Sequence, residues 1–82
     1  MFHILVVEDD TNARKLMKAV LERAEYSVSA AVSAENALAL LDAQHVDLIV
    51  LDIMMPGMDG FAFTSELRAS GSTVPILMVT AK

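Results

Sequence analysis

Two kinds of hydrophobic spacing alternate along this chain. "FHILVV" (2–7) is a short unbroken apolar run, the pattern of a strand buried on both faces. From residue 10 the period changes. Ala13, Leu16, Met17, Val20, Leu21 and Ala24 recur three and four residues apart and predict the inner face of a helix. Arg14, Lys15, Lys18, Glu22 and Arg23 fall mostly off that face, and Asp10 or Thr11 is placed to cap the start. "YSVSAAV" (26–32) predicts a second, weaker strand. Ser33 then caps a helix over 34–44 with Ala37, Leu38, Leu40 and Leu41 inward. "VDLIVLD" (46–52) predicts the third strand, a loop over 53–60 leads into a short helix near 61–69, and "ILMVT" (76–80) predicts the fourth strand.

Strand, helix, strand, helix, strand, helix, strand is the signature of an α/β fold with a parallel sheet, right-handed crossovers and helices on both faces. In such sheets ligands bind outside the carboxyl ends of the strands, where strand order reverses. Polar residues that directly follow strands therefore matter most. Here they are Glu8, Asp9 and Asp10 after the first strand, Asp52 after the third and Thr80 at the end of the fourth.

Neighbouring first and third strands would bring Glu8, Asp9 and Asp52 together. Carboxylates that close repel, and a hard divalent cation such as Mg²⁺ relieves them. With the metal in place, one carboxylate can attack phosphorus, and Thr80 could donate to a phosphoryl oxygen. Each piece also has a plainer reading. "EDD" before a helix serves as a cap with favourable dipole charges, Asp52 as a strand terminator, and "PGMDG" as a turn. Thr is common in strands, and His3 and His45 lie away from the strand ends of interest. The conjunction of three acids and a hydroxyl at one end of one sheet favours chemistry.

Composition narrows the classes. The chain has 82 residues, enough for one small domain, with a net charge of −5. That acidic balance argues against nucleic-acid binding by this chain alone, because phosphate contact needs clustered Lys and Arg. No apolar run reaches the roughly 18 residues of a membrane span, and the start has no signal-peptide pattern. The absence of cysteine fits a cytoplasmic protein. Neither G-x-x-x-x-G-K-[ST] nor G-x-G-x-x-G is present, so nucleotide-binding enzymes fit poorly.

"ILVVEDD" (4–10), "DLIVLDIMMPGMDG" (47–60) and "PILMVTAK" (75–82) together resemble the response-regulator receiver domain of two-component signalling. The resemblance runs the length of the chain and implies a flavodoxin-like sheet and a signalling domain rather than an enzyme. It implies that Asp52 accepts a phosphoryl group from a sensor histidine kinase. It also implies that Asp9 and Asp52 bind Mg²⁺, with Glu8 helping through water and the backbone carbonyl of Met54 completing the protein ligands, and that Thr80 is the switch hydroxyl. The family pattern has five strands in the order 2-1-3-4-5, and residues 1–82 match it only through the fourth strand. The expected sheet is therefore four strands in the order 2-1-3-4 with three helices. The family's lysine at the end of strand five has no counterpart, which predicts weakened phosphorylation. The fourth strand becomes an apolar edge, which predicts self-association, as a dimer. The alternative is a truncated or engineered fragment whose motifs are idle. Glu25 stands where the family commonly has glycine, a position that predicts a strained helix end.

Overall fold

The computed structural model describes residues 1–52 and 60–79. The elements are β1 (His3–Val7), α1 (Thr11–Arg23), β2 (Ser27–Ala31), α2 (Ala34–Ala43), β3 (Leu48–Asp52), α3 (Gly60–Ala69) and β4 (Ile76–Val79). The four strands form one parallel sheet in the order β2-β1-β3-β4. Strand order reverses between β1 and β3, as the alternating pattern predicts. The predicted elements are all present, with ends shifted by at most two residues.

Side chains on β1 and β3 alternate between two cores, which is why both strands read as unbroken apolar runs. Leu5, Val7, Ile49 and Leu51 point to one face, where Ala37 of α2 and Phe63 and Leu67 of α3 close over them. Leu38, Leu40 and Leu41 pack against this core, as the helical spacing predicts. Ile4, Val6 and Val50 point to the other face, covered by Met17 and Leu21 of α1.

One expectation fails on that second face. Leu16 is 65% exposed and Val20 55% exposed, although both belong to the periodic apolar stripe of α1. Among the described residues one helix covers this side of the sheet, packed on β1 and β2. Leu16, Met17, Val20 and Leu21 line a shallow apolar groove there with Val50 and Leu77.

The helix ends follow local chemistry. Asp10 caps α1, its carboxylate accepting from the Ala13 amide at 2.8 Å. Ser33 caps α2 by accepting from the Asn36 amide, while the Asn36 side chain accepts from the Val32 amide. At the end of α1 the Glu25 amide donates to Glu22 and the Tyr26 amide to Leu21. The same pair of bonds closes α3, from Gly71 to Arg68 and from Ser72 to Leu67. Both closures need a left-handed residue. Gly71 sits at φ 94 without penalty, whereas Glu25 sits at φ 71 and bears the strain that the sequence predicts.

Candidate functional site: an acidic cluster at the carboxyl end of the sheet

Glu8 and Asp9 lie in the turn from β1 to α1, and Asp52 is the last residue of β3. The β1–β3 register pairs Val7 with Leu51, so the residues after each strand meet side by side. One carboxylate oxygen from each of Glu8, Asp9 and Asp52 lies within 4.8 Å of the other two. Glu8 is 1% exposed and Asp52 0% exposed, while Asp9 faces solvent. The three acids thus form a cluster with two buried members and one open side.

The β1–α1 turn is tightly tied. The Glu8 amide extends the β1–β2 ladder by donating to the Ala31 carbonyl at 3.1 Å. One carboxylate oxygen of Glu8 accepts from the Asp10 amide at 3.1 Å. The Arg14 guanidinium donates to the carbonyls of Glu8 and Asp9 at 3.1 and 3.3 Å. Burial pushes the Glu8 carboxyl above its ordinary range. The Asp10 amide offsets this in part, and the Asp52 and Asp9 carboxyls push it further up.

This donor set fits a hard cation. All three ligands are carboxylate oxygens, the chemistry that Mg²⁺ selects. An octahedral Mg²⁺ with oxygens at about 2.1 Å sets them about 3.0 to 4.2 Å apart. The triad oxygens, all within 4.8 Å of one another, are spaced on that scale. A cation beside these carboxylates would act on Glu8 in the opposite direction to its burial and its acidic neighbours.

Sequence reasoning thus places Glu8, Asp9 and Asp52 together, and the structure brings them together. Two further expected site residues, Met54 and Thr80, lie outside the described residues. Val79, which precedes Thr80 in the chain, is the register partner of Asp52. Arg14 is a residue that sequence reasoning passed over as one of several off-face cations. Its signal was its position, one turn past the acids on the helix they cap.

The opposite end of the sheet holds a second polar network. His3 donates its amide to the Asp47 carboxylate at 2.8 Å, and Asp47 returns its own amide to the His3 carbonyl at 2.8 Å. His45 lies 2.9 Å from the same carboxylate, and the His3 ring contacts Ser29 at 2.8 Å. These bonds, the His3 amide first and His45 second, hold the Asp47 carboxyl below its ordinary range.

Comparison with known proteins agrees with this architecture. The family model of the response regulator receiver domain matches residues 4–82. The probable transcriptional regulator ycf27 of Cyanidium caldarium is 43% identical over 79 residues, covering 96% of this chain and 31% of that protein. The transcriptional regulatory protein ResD of Bacillus subtilis is 42% identical over 79 residues, with 96% and 32% covered. The chain spans about a third of the length of these curated relatives. Among solved structures, the response regulator TrrA of Thermotoga maritima in complex with Mg²⁺–BeF superposes with a TM-score of 0.89 at 36% identity, covering 100% of this chain and 71% of that one. TrrA in complex with the histidine kinase ThkA gives 0.88 at 37% identity, with 99% and 70% covered. The fold and site define a signalling domain of the flavodoxin-like type. The chain belongs to the response regulator receiver family.

Proposed function

We propose that residues 1–82 are the N-terminal part of a receiver domain in which Asp52 is the phosphoacceptor. The observation that carries this reading is the convergence of buried Asp52 and Glu8 with exposed Asp9 at the carboxyl end of the sheet. The donor is the phosphohistidine of a sensor histidine kinase, the kind of partner with which TrrA is seen. An Asp52 carboxylate oxygen attacks phosphorus and the P–N bond breaks. The electron pair returns to the imidazole nitrogen, which takes up a proton from solvent. The product is an acyl phosphate on Asp52. Asp9, Asp52 and the Met54 carbonyl, with Glu8 helping through water, would hold Mg²⁺, which would supply charge neutralisation for the phosphoryl oxygens.

The chain's own residues do the rest. Burial shields Asp52 from water, and Asp9 is the exposed member of the cluster. Glu8, tied to the Asp10 amide, steers its charge toward the cluster. Thr80 is the switch hydroxyl of this reading. The protein acts as a phosphoryl carrier in the cytoplasm rather than as an enzyme with a separate substrate. Among the described residues, no helix is long and apolar enough to cross a membrane.

A small phosphodonor with Mg²⁺, followed by intact-mass measurement, tests the assignment. The expected result is one added phosphoryl group that disappears in Asp52→Asn and without metal. Labelling that survives in Asp52→Asn overturns it.

Self-association of the 82-residue polypeptide is the second part of the proposal. Among the described residues β4 pairs with β3 alone, and Leu77 is 53% exposed. Pairing of two β4 strands about a two-fold axis is the proposed contact. Light scattering of the polypeptide is expected to give a dimer mass, and a stable monomer at micromolar concentration contradicts it.

A further inference from the structure

We propose that Arg14 is a positioning residue of the acidic site, tying back the carbonyls of the β1–α1 turn so that Glu8 and Asp9 present their carboxylates to a divalent cation beside Asp52. This rests on the reading of that cluster as a metal site.

Arg14 holds three consecutive residues. Its amide donates to the Asp10 carbonyl at 2.9 Å, the first bond of α1. Its side-chain Nη1 donates to the Glu8 and Asp9 carbonyls. One guanidinium nitrogen carries two hydrogens, so both bonds come from a single atom. The carbonyls of residues 8, 9 and 10 are therefore all engaged by one side chain and its own backbone. Their oxygens are drawn toward α1. The other contacts of the turn complete the frame. The Glu8 amide is fixed to Ala31 on β2, Glu8 Oε2 takes the Asp10 amide, and Asp10 Oδ2 takes the Ala13 amide. Of the three acids, Asp10 is used up as a cap, and Glu8 and Asp9 are left to face Asp52.

Geometry and charge act in opposite directions here, which makes the role testable by sign. A guanidinium near the site repels a divalent cation, so loss of its charge alone tightens metal binding. Loss of the frame alone weakens it, because the carboxylates must then be ordered by the ion itself. A residue that only anchors the helix changes the melting temperature and leaves metal affinity alone.

The experiment is a calorimetric Mg²⁺ titration of the wild type, Arg14→Met, Arg14→Gln, Arg14→Lys and Asp9→Asn, with thermal melting of each metal-free protein alongside. Arg14→Met is expected to bind Mg²⁺ roughly 10-fold more weakly despite its extra net negative charge, at the low end of what residues behind metal ligands contribute. Arg14→Lys, which keeps the charge and hydrogen-bond donors, is expected to recover most of the loss. Should Arg14→Met fail to fold, Arg14→Gln carries the same test, expected to bind more weakly than the wild type. Equal or tighter binding by the neutral variant overturns the role of Arg14 alone. A wild type that binds no Mg²⁺, with Asp9→Asn indistinguishable from it, overturns the metal site and this role together.

Discussion

The sheet carries one carboxylate at its amino end and a cluster of three at its carboxyl end, and the two ends treat them oppositely. At the amino end Asp47 receives the His3 amide and the His45 ring, and its carboxyl is held low. At the carboxyl end Glu8 is buried beside Asp52 and Asp9, and its carboxyl is pushed up. A carboxylate supplied with donors stabilises the fold that supplies them. One crowded by other acids costs the fold free energy, and only a cation or a proton relieves that cost. The comparison separates an acid that holds the structure from acids arranged for a ligand, although both sit at strand ends.

Substitutions at the two ends should therefore give opposite signatures. The largest effect is expected at the acidic end, where Asp9→Asn should weaken Mg²⁺ binding by at least about 10-fold in a calorimetric titration. Asp47→Asn should leave that affinity unchanged, and a comparable loss there would erase the distinction between the ends. Next comes Glu8→Gln, which removes a disfavoured buried charge. Its metal-free form is expected to melt above the wild type at pH 7, while binding Mg²⁺ more weakly.

The pH dependence gives a third contrast. Asp47 has a folded value below its unfolded one, so its contribution is full above the unfolded value and is lost as pH falls through the folded value. Glu8 has a folded value above its unfolded one, so its penalty is absent below the unfolded value and sets in as pH rises through the folded value. In metal-free melts, Asp47→Asn should flatten the acid side of the stability profile below about pH 4, the ordinary aspartate value. Glu8→Gln should flatten the decline on its neutral side. Profiles unchanged by both substitutions would contradict the assignment of the two groups.

The smallest effect sharpens the background. Glu25→Gly relieves the left-handed residue after α1 and should stabilise by up to about 1 kcal/mol in a denaturant melt, with no change in Mg²⁺ affinity. Gly71→Ala, at the matching position after α3, should destabilise by a similar amount. No atom crowds a Cβ there, so the cost is purely that of the backbone angle.

The acidic end was legible in the sequence, and the amino end was not. Glu8 and Asp52 each follow an apolar run directly and Asp9 follows Glu8, so a parallel sheet with adjacent first and third strands was enough to join them. The His3–Asp47 exchange depends on the register across β1 and β3, which periodicity leaves open. A signal was present all the same, in an Asp and a His each standing at the start of a strand. The exposure of Leu16 and Val20 was missed for a different reason. Helical spacing tells which face of α1 is apolar, but the neighbouring strands and helices decide how much of that face is covered. The strain at Glu25 was legible because the left-handed helix end is a local backbone requirement. Arg14 was not singled out, since its importance lies in two carbonyls that hydrophobic patterning does not report.

Paramagnetic broadening by Mn²⁺, a hard oxygen-seeking stand-in for Mg²⁺, tests the contrast between the ends most directly. With ¹⁵N-labelled protein and substoichiometric Mn²⁺, the amides of Glu8, Asp9, Asp10 and Asp52 should broaden first. Those of His3, His45 and Asp47 should stay sharp, and excess Mg²⁺ should reverse the broadening. Broadening centred on His45 and Asp47, or none at the acidic end at millimolar metal, would contradict the account.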